Sequence, residues 1–242
     1  MLVAAAVCPC PPLLVPAVAE GAASELDAAR AACADALGVL AAARPDRLAV
    51  VGPEAAGTAG ASGCRPYPEG AQGSFRGFGV NVEVRLGRDT GGTAGWELPS
   101  SLAVAAWLLE RCGWSGAPVT GLGVAESLAP ERCLAAGREI AAQADRVALL
   151  VMGDASACRS VKAPGYLDER AEPFDAEAAR ALGAAEAGAL AALDAELATE
   201  LKASGRAPWQ ILAGAAEGAG LSGALLYDEA PYGVGYLVAA WS

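Results

Sequence analysis

The opening dozen residues, MLVAAAVCPCPP, constrain the fold of this chain more than any other stretch. Leu2 to Val7 is an apolar run of strand length with turn residues behind it, which predicts a fully buried strand. Pro9, Pro11 and Pro12 then rule out both helix and further sheet pairing, so the chain must leave the sheet there. Ligands of open α/β sheets collect where strands end. What matters downstream is which other strand ends meet this one, and what side chains they carry.

Similar apolar runs follow at Leu48–Gly52, Val119–Val124 and Val147–Met152, with Pro53-Glu54 after the first of these and Gly153-Asp154-Ala155-Ser156 after the last. Val80–Leu86 alternates apolar and polar residues, which predicts a half-exposed edge strand. Leu221–Tyr227 and Val234–Trp241 read as two final strands. Helical spacing predicts an amphipathic helix over 17–43, starting near Ser24 with Asp27 completing a capping signature. Further helices are predicted from a cap at Ser100 or Ser101 to Cys112, over 130–144, over a long Ala-rich stretch from Asp175 to about Ser204, and over 209–219. Residues 55–79 read as a long loop and 157–172 as irregular. The first strand, helix and second strand make a right-handed βαβ unit. Neither repeats nor linkers divide the chain. The expected fold is one α/β domain over residues 1–242, a mostly parallel sheet with helices on both faces.

Hydrophobic residues make up 54% of the 242 and aromatics 5%, so the core is aliphatic. The formal net charge of −11 argues against nucleic acid and against anionic lipid as partners. Seven scattered cysteines suit reduced thiols better than a disulfide framework. The short, proline-broken N-terminal run lacks the basic flank of a signal peptide, and no stretch is long enough to span a membrane. The expected location is the cytoplasm.

Histidine is absent from the sequence, which removes imidazole as base, metal ligand or triad member. Cys8 and Cys10 stand two apart; they suit a soft metal in principle, but packing as small apolar groups is the simpler reading. Glu54, Asp154, Asp228 and Glu229 each follow a predicted strand closely, with Ser156 beside them. If these ends converge, the crevice could hold a divalent cation or a carboxyl of raised pKa. Taken singly, acidic residues after strands are more often solvated loop or cap residues. Gly121-Leu122-Gly123 lacks the third glycine of a dinucleotide fingerprint, with Glu126 in its place.

Four segments together, VAAAVCPCPP (3–12), LAVVGPE (48–54), VALLVMGDAS (147–156) and YDEAPYGVGYLVA (227–239), resemble the class III extradiol ring-cleavage dioxygenase superfamily, which includes Memo-like proteins. The CPCPP and GDxSACR…KAPGYLDERA signatures resemble an actinobacterial-type branch of it. The resemblance implies an iron site in which the first strand ends in a His-Pro-like pair, the second in Pro-His, and Gly-Asp-x-Ser runs into His. A carboxylate near the C-terminal strands completes it. Here those positions fall on Cys10 or Cys8, on Glu54, on Ala157, and on Glu229 or Asp228. Fold can be inherited without the reaction. The expectation is a family member without iron-dependent ring cleavage, whose crevice of Cys8, Cys10, Glu54, Asp154, Ser156, Asp228 and Glu229 binds a small molecule or a protein. Two alternatives stay open: a rebuilt site in which Cys10, Glu54 and Glu229 hold zinc or another divalent cation, and a metal-free enzyme using Asp154 as acid/base. Homo-oligomerisation stays open too. The crevice reading brings Glu54 and Glu229 within a few Å, where they repel unless a cation or proton intervenes. Without a cation, Glu54→Gln is then expected to stabilise.

Overall fold

A computed structural model describes residues 1–55, 57–60, 62–91 and 95–242. The strands are β1 (Leu2–Cys8), β2 (Arg47–Glu54), β3 (Cys64–Tyr67), β4 (Gln72–Ser74), β5 (Glu83–Arg85), β6 (Val119–Ala125), β7 (Val147–Met152), β8 (Gly223–Glu229) and β9 (Tyr236–Trp241). The helices are α1 (Pro16–Ala19), α2 (Asp27–Ala42), α3 (Ser100–Arg111), α4 (Pro130–Ala141), α5 (Ala171–Gly183), α6 (Ala187–Ala191), α7 (Ala195–Glu200) and α8 (Arg206–Ala215).

Seven strands form one sheet in the order β3-β6-β2-β7-β1-β9-β8. The four central strands β6, β2, β7 and β1 are parallel, while β3 pairs antiparallel with β6, β9 with β1, and β8 with β9. Side chains of β1 alternate between two cores, as the pleat requires. Ala4, Ala6 and Cys8 face Leu37 of α2 and Leu102 of α3; Ala5 and Val7 face Ala178 of α5 and Trp209 of α8. Helices therefore cover both faces of the sheet, which keeps its parallel strands out of water.

Several elements differ from the sequence reading. The helix expected over 175–204 is three helices. Ala185 adopts a left-handed φ of 53°, the Glu186 amide reaches back to Ala181 O, and the Trp241 indole N–H takes Leu182 O at 2.6 Å. Asp194 then restarts the helix as an N-cap, its Oδ1 accepting from the Glu196 and Leu197 amides. The edge strand expected over 80–86 shrinks to β5, which pairs with β4 in a separate two-stranded sheet. The true edge is β3, inside the stretch read as loop, and Pro66 without an N–H suits that edge position. Ser24 does not cap α2: a 3₁₀ run from Glu20 to Leu26 precedes it, and Asp27 pairs with Arg30 Nη2 at 2.7 Å instead. Pro99 occupies the N-cap of α3, and the Ser101 hydroxyl donates to Pro53 O at 2.6 Å. The helix expected from 209 starts at Arg206 and ends at Ala215.

Helices α4 and α8 touch backbone to backbone through two glycines. A Cβ added at Gly137 would lie 2.0 Å from Ile211 O, and one at Gly214 would lie 2.1 Å from Leu134 O. Neither neighbour is a side chain that could swing aside, so the helices would have to separate. Gly214→Ala is expected to cost about 1–3 kcal/mol. Urea unfolding of the variant against the parent checks this, with a shift of the midpoint at an unchanged slope as the expected result.

Candidate functional site

β1 and β7 run side by side, so Cys8 and Met152 leave the sheet together. Among residues 9–12 Cys10 alone can donate a backbone N–H, because the others are prolines. That amide donates to Asp154 Oδ1 at 2.8 Å. The Asp154 amide in turn donates to Ser204 Oγ at 3.1 Å, and the Gly205 amide to Asp154 O at 2.8 Å. Tyr236, buried at the start of β9, completes the cluster from the neighbouring strand.

The electrostatics follow from depth without a cation. Surrounding protein pushes the Asp154 carboxyl up to about 7; the Cys10 amide pulls it back and Glu126 pushes it further, while solvent still reaches part of the residue. Burial, then Asp154 and Glu126, raise the Cys10 thiol well above its ordinary value. Burial and the neighbouring Asp154 also raise the Tyr236 hydroxyl. Near neutral pH the cluster thus holds a carboxyl poised between its two forms, beside a thiol and a phenol that both keep their protons. Such a set can donate and accept hydrogen bonds, and it can hand over a proton at Asp154.

The other expected site residues lie elsewhere. Cys8 is fully buried, its thiol raised by contact with Cys33 and by burial, so it packs in the core. Ser156 is also fully buried and acts as a brace: its amide and hydroxyl both donate to Asp175 at 2.8 Å, and Arg159 Nη1 donates to the same carboxylate at 3.1 Å. Asp228 and Glu229 are exposed on β8, opposite Leu237 and Tyr236. Glu229 sits beside the Tyr227 hydroxyl and, after burial, helps to raise it.

Glu54 is buried, yet it faces away from Glu229. Its Oε1 lies 3.1 Å from Arg65 Nε of β3, and it pushes the Tyr67 phenol, already raised by burial, up to about 12. Gly123 makes the room: a Cβ there would fall 2.0 Å from Glu54 Oε2. Four strand spacings separate β2 from β8, placing Glu54 and Glu229 roughly 19 Å apart along the sheet edge. The expected convergence of Cys10, Glu54 and Glu229 is therefore overturned by strand order, and with it this rebuilt metal site. Nor do these residues fit the iron site that the resemblance implies. Among the described residues no group of three or more His, Cys, Asp or Glu side chains is placed to hold a metal ion. Among the described residues no helix is long and apolar enough to cross a membrane.

Tyr236, Ser204 and Glu126 escaped the sequence reading. Tyr236 opens the last strand, within the fourth of the family-like segments, and the alignment of that strand with β1 was the available signal. Ser204 and Glu126 reach the site only through the turn before α8 and the loop after β6.

Fold and site define a class: a single α/β domain whose seven-stranded, mostly parallel sheet carries a polar cluster at the carboxyl ends of its central strands. The crystal structure of the uncharacterized protein JW3007 from Escherichia coli K12 is similar, with a TM-score of 0.58 and 12% identity over 99% of this chain and 99% of that one. At that identity the likeness shows the fold. No family model matches the sequence, and no curated protein matches it.

These environments make opposite demands on two carboxylates. Because Glu54 faces Arg65 rather than another carboxylate, Glu54→Gln is expected to destabilise, by about 1–3 kcal/mol. Arg65→Met should cost more, about 3–5 kcal/mol, since it strands a carboxylate that is 4% exposed. Thermal melts of both variants and of the double variant, which should recover part of the loss, check the order. For Asp154, a folded-state value near 7 against about 3.9 unfolded means that the folded protein holds its proton more tightly. Stability should therefore fall as pH rises from about 4 to about 7 and level off above that, a loss on the order of a few kcal/mol. Asp154→Asn, which keeps an acceptor for the Cys10 amide, should raise the melting temperature at about pH 8 and change it little at about pH 4. Melting curves across that range read the difference.

Proposed function

We propose that this chain is a degenerate member of the class III extradiol dioxygenase superfamily. In this reading it binds a small molecule at its strand-end cluster and does not cleave catechol rings with iron. The family assignment rests on four sequence segments that fall in family order, on β1, β2, β7 and the β8–β9 pair. The loss of ring cleavage rests on the absence of imidazole, which iron ligation and proton transfer in that family require. The observation that carries the binding reading is Asp154: a deep carboxyl, reached by water, held by the Cys10 amide and flanked by Tyr236 without a cation. A purely structural carboxylate is normally neutralised, as Asp175 is by Ser156 and Arg159.

The same residue favours one second reading, a metal-free enzyme in which Asp154 acts as general acid or base. A carboxyl with a value near the working pH suits that task. The cytoplasm is the compartment that the free thiols fit, all seven cysteines being unpaired.

Oxygen uptake with protocatechuate and added ferrous iron should not exceed the metal-free control. Uptake above that control would overturn the reading. Thermal shift with catechol and with benzoate probes the binding arm, and any stabilisation should disappear in Asp154→Asn if the ligand sits at this cluster.

A further inference from the structure

A groove of about 840 Å³ opens between the β4–β5 hairpin and the C-terminal end of α3. None of Cys10, Asp154 and Tyr236 lines it, and nothing in the sequence pattern signals it. Val84 and Leu109, both buried, give it an apolar floor, and Trp96 and Trp114 line it as well. Trp96 is 64% exposed, an unusual position for an indole in a chain with so few aromatics. The ring is nonetheless held: the Arg65 guanidinium carbon lies 4.1 Å from its centroid, and Arg65 is itself anchored by Glu54.

The charges of the groove are unbalanced. Its two guanidiniums are already answered, Arg76 by Glu83 and Arg85 by Asp89. Glu97 receives the Ser74 hydroxyl at 2.7 Å, and neither Glu97 nor Glu110 forms an ion pair among the described residues. Two uncompensated carboxylates thus stand beside two indoles over an apolar floor. An anion would be repelled, and a neutral polyol would leave the charge unanswered. A bare divalent metal would find no cluster of three ligands, none existing among the described residues. A positive head on an apolar body answers every feature, because carboxylates attract the charge while indole faces accept both the cation and its alkyl groups.

We propose that this groove binds an organic ammonium ion, its charged head between Glu97 and Glu110 and its alkyl body against Trp96 and Trp114. The site is separate from the strand-end cluster and does not depend on the function proposed for it. Only modest affinity is expected, since both carboxylates are exposed and the attraction is screened by salt.

The test is titration of the full chain with putrescine and with tetramethylammonium, followed by tryptophan fluorescence and calorimetry, with inorganic phosphate and glucose as controls. Saturable binding of the two cations is expected, weakening as salt is raised, and no binding of phosphate or glucose. Trp96→Ala, and separately the Glu97→Gln, Glu110→Gln double variant, should each weaken binding by about fivefold or more. Asp35→Asn, an exposed acidic position on α2, should leave binding unchanged. All the altered residues are exposed, so circular dichroism melts should match the parent and separate lost binding from lost fold. The proposal is overturned if no cation saturates or if glucose binds as well as putrescine. It is equally overturned if the groove variants bind the amines as tightly as the parent, which would reduce the effect to the general acidity of the surface.

Discussion

Three prolines in four positions leave Cys10 as the one backbone donor after β1, and that donor is taken by Asp154. Much of the site depends on this hydrogen bond. It ties the end of β1 to the end of β7 just where parallel pairing stops, since Gly153 N to Cys8 O is the last ladder contact between them. It also holds a carboxylate among protein atoms with no cation beside it, so the carboxyl rises toward neutrality. The neighbouring thiol and phenol are raised by the same burial and by Asp154 itself.

Close backbone approaches hold this arrangement in place. A Cβ at Gly153 would lie 2.4 Å from the Gly205 Cα, and one at Gly235 would lie 2.6 Å from Asp175 Oδ2. The turn before α8, the start of β9 and the loop after β7 therefore meet within a distance that only glycine permits. Around them three carboxylates meet three different fates. Asp154 has one amide and no cation; Glu54 has Arg65; Asp175 has Ser156 and Arg159. Similar chemistry yields a titratable group, an ion pair and a loop brace, because the neighbours differ. This is why carboxylates placed alike in the sequence cannot be assigned alike.

The proposed family membership and the observed geometry bear on different questions. Family-ordered segments end strands on one edge of the sheet, whereas the expected ligand positions are spread along that edge. Glu229 belongs to β8, beyond β9, and Glu54 turns toward β3 and β6. A sheet edge is long compared with a coordination sphere, so sharing an edge does not mean sharing a site.

Leu2–Val7, Leu48–Gly52, Val119–Val124 and Val147–Met152 were legible as buried strands from the sequence alone, because continuous apolar runs broken by proline or glycine admit few other structures. The α/β class, the two helical layers and the importance of Cys10 and Asp154 followed from the same pattern. The sequence also determined that no imidazole chemistry is available. It could not give strand order, since β7 inserts between β1 and β2 through contacts distant in the chain. It could not foresee the break after Gly183, which a Trp241 indole imposes across 59 positions, or the edge role of β3. Tyr236 and Ser204 joined the site, and Glu229 left it, for one reason. Periodicity reports which face a side chain takes, and only the assembled sheet decides which strand ends are neighbours.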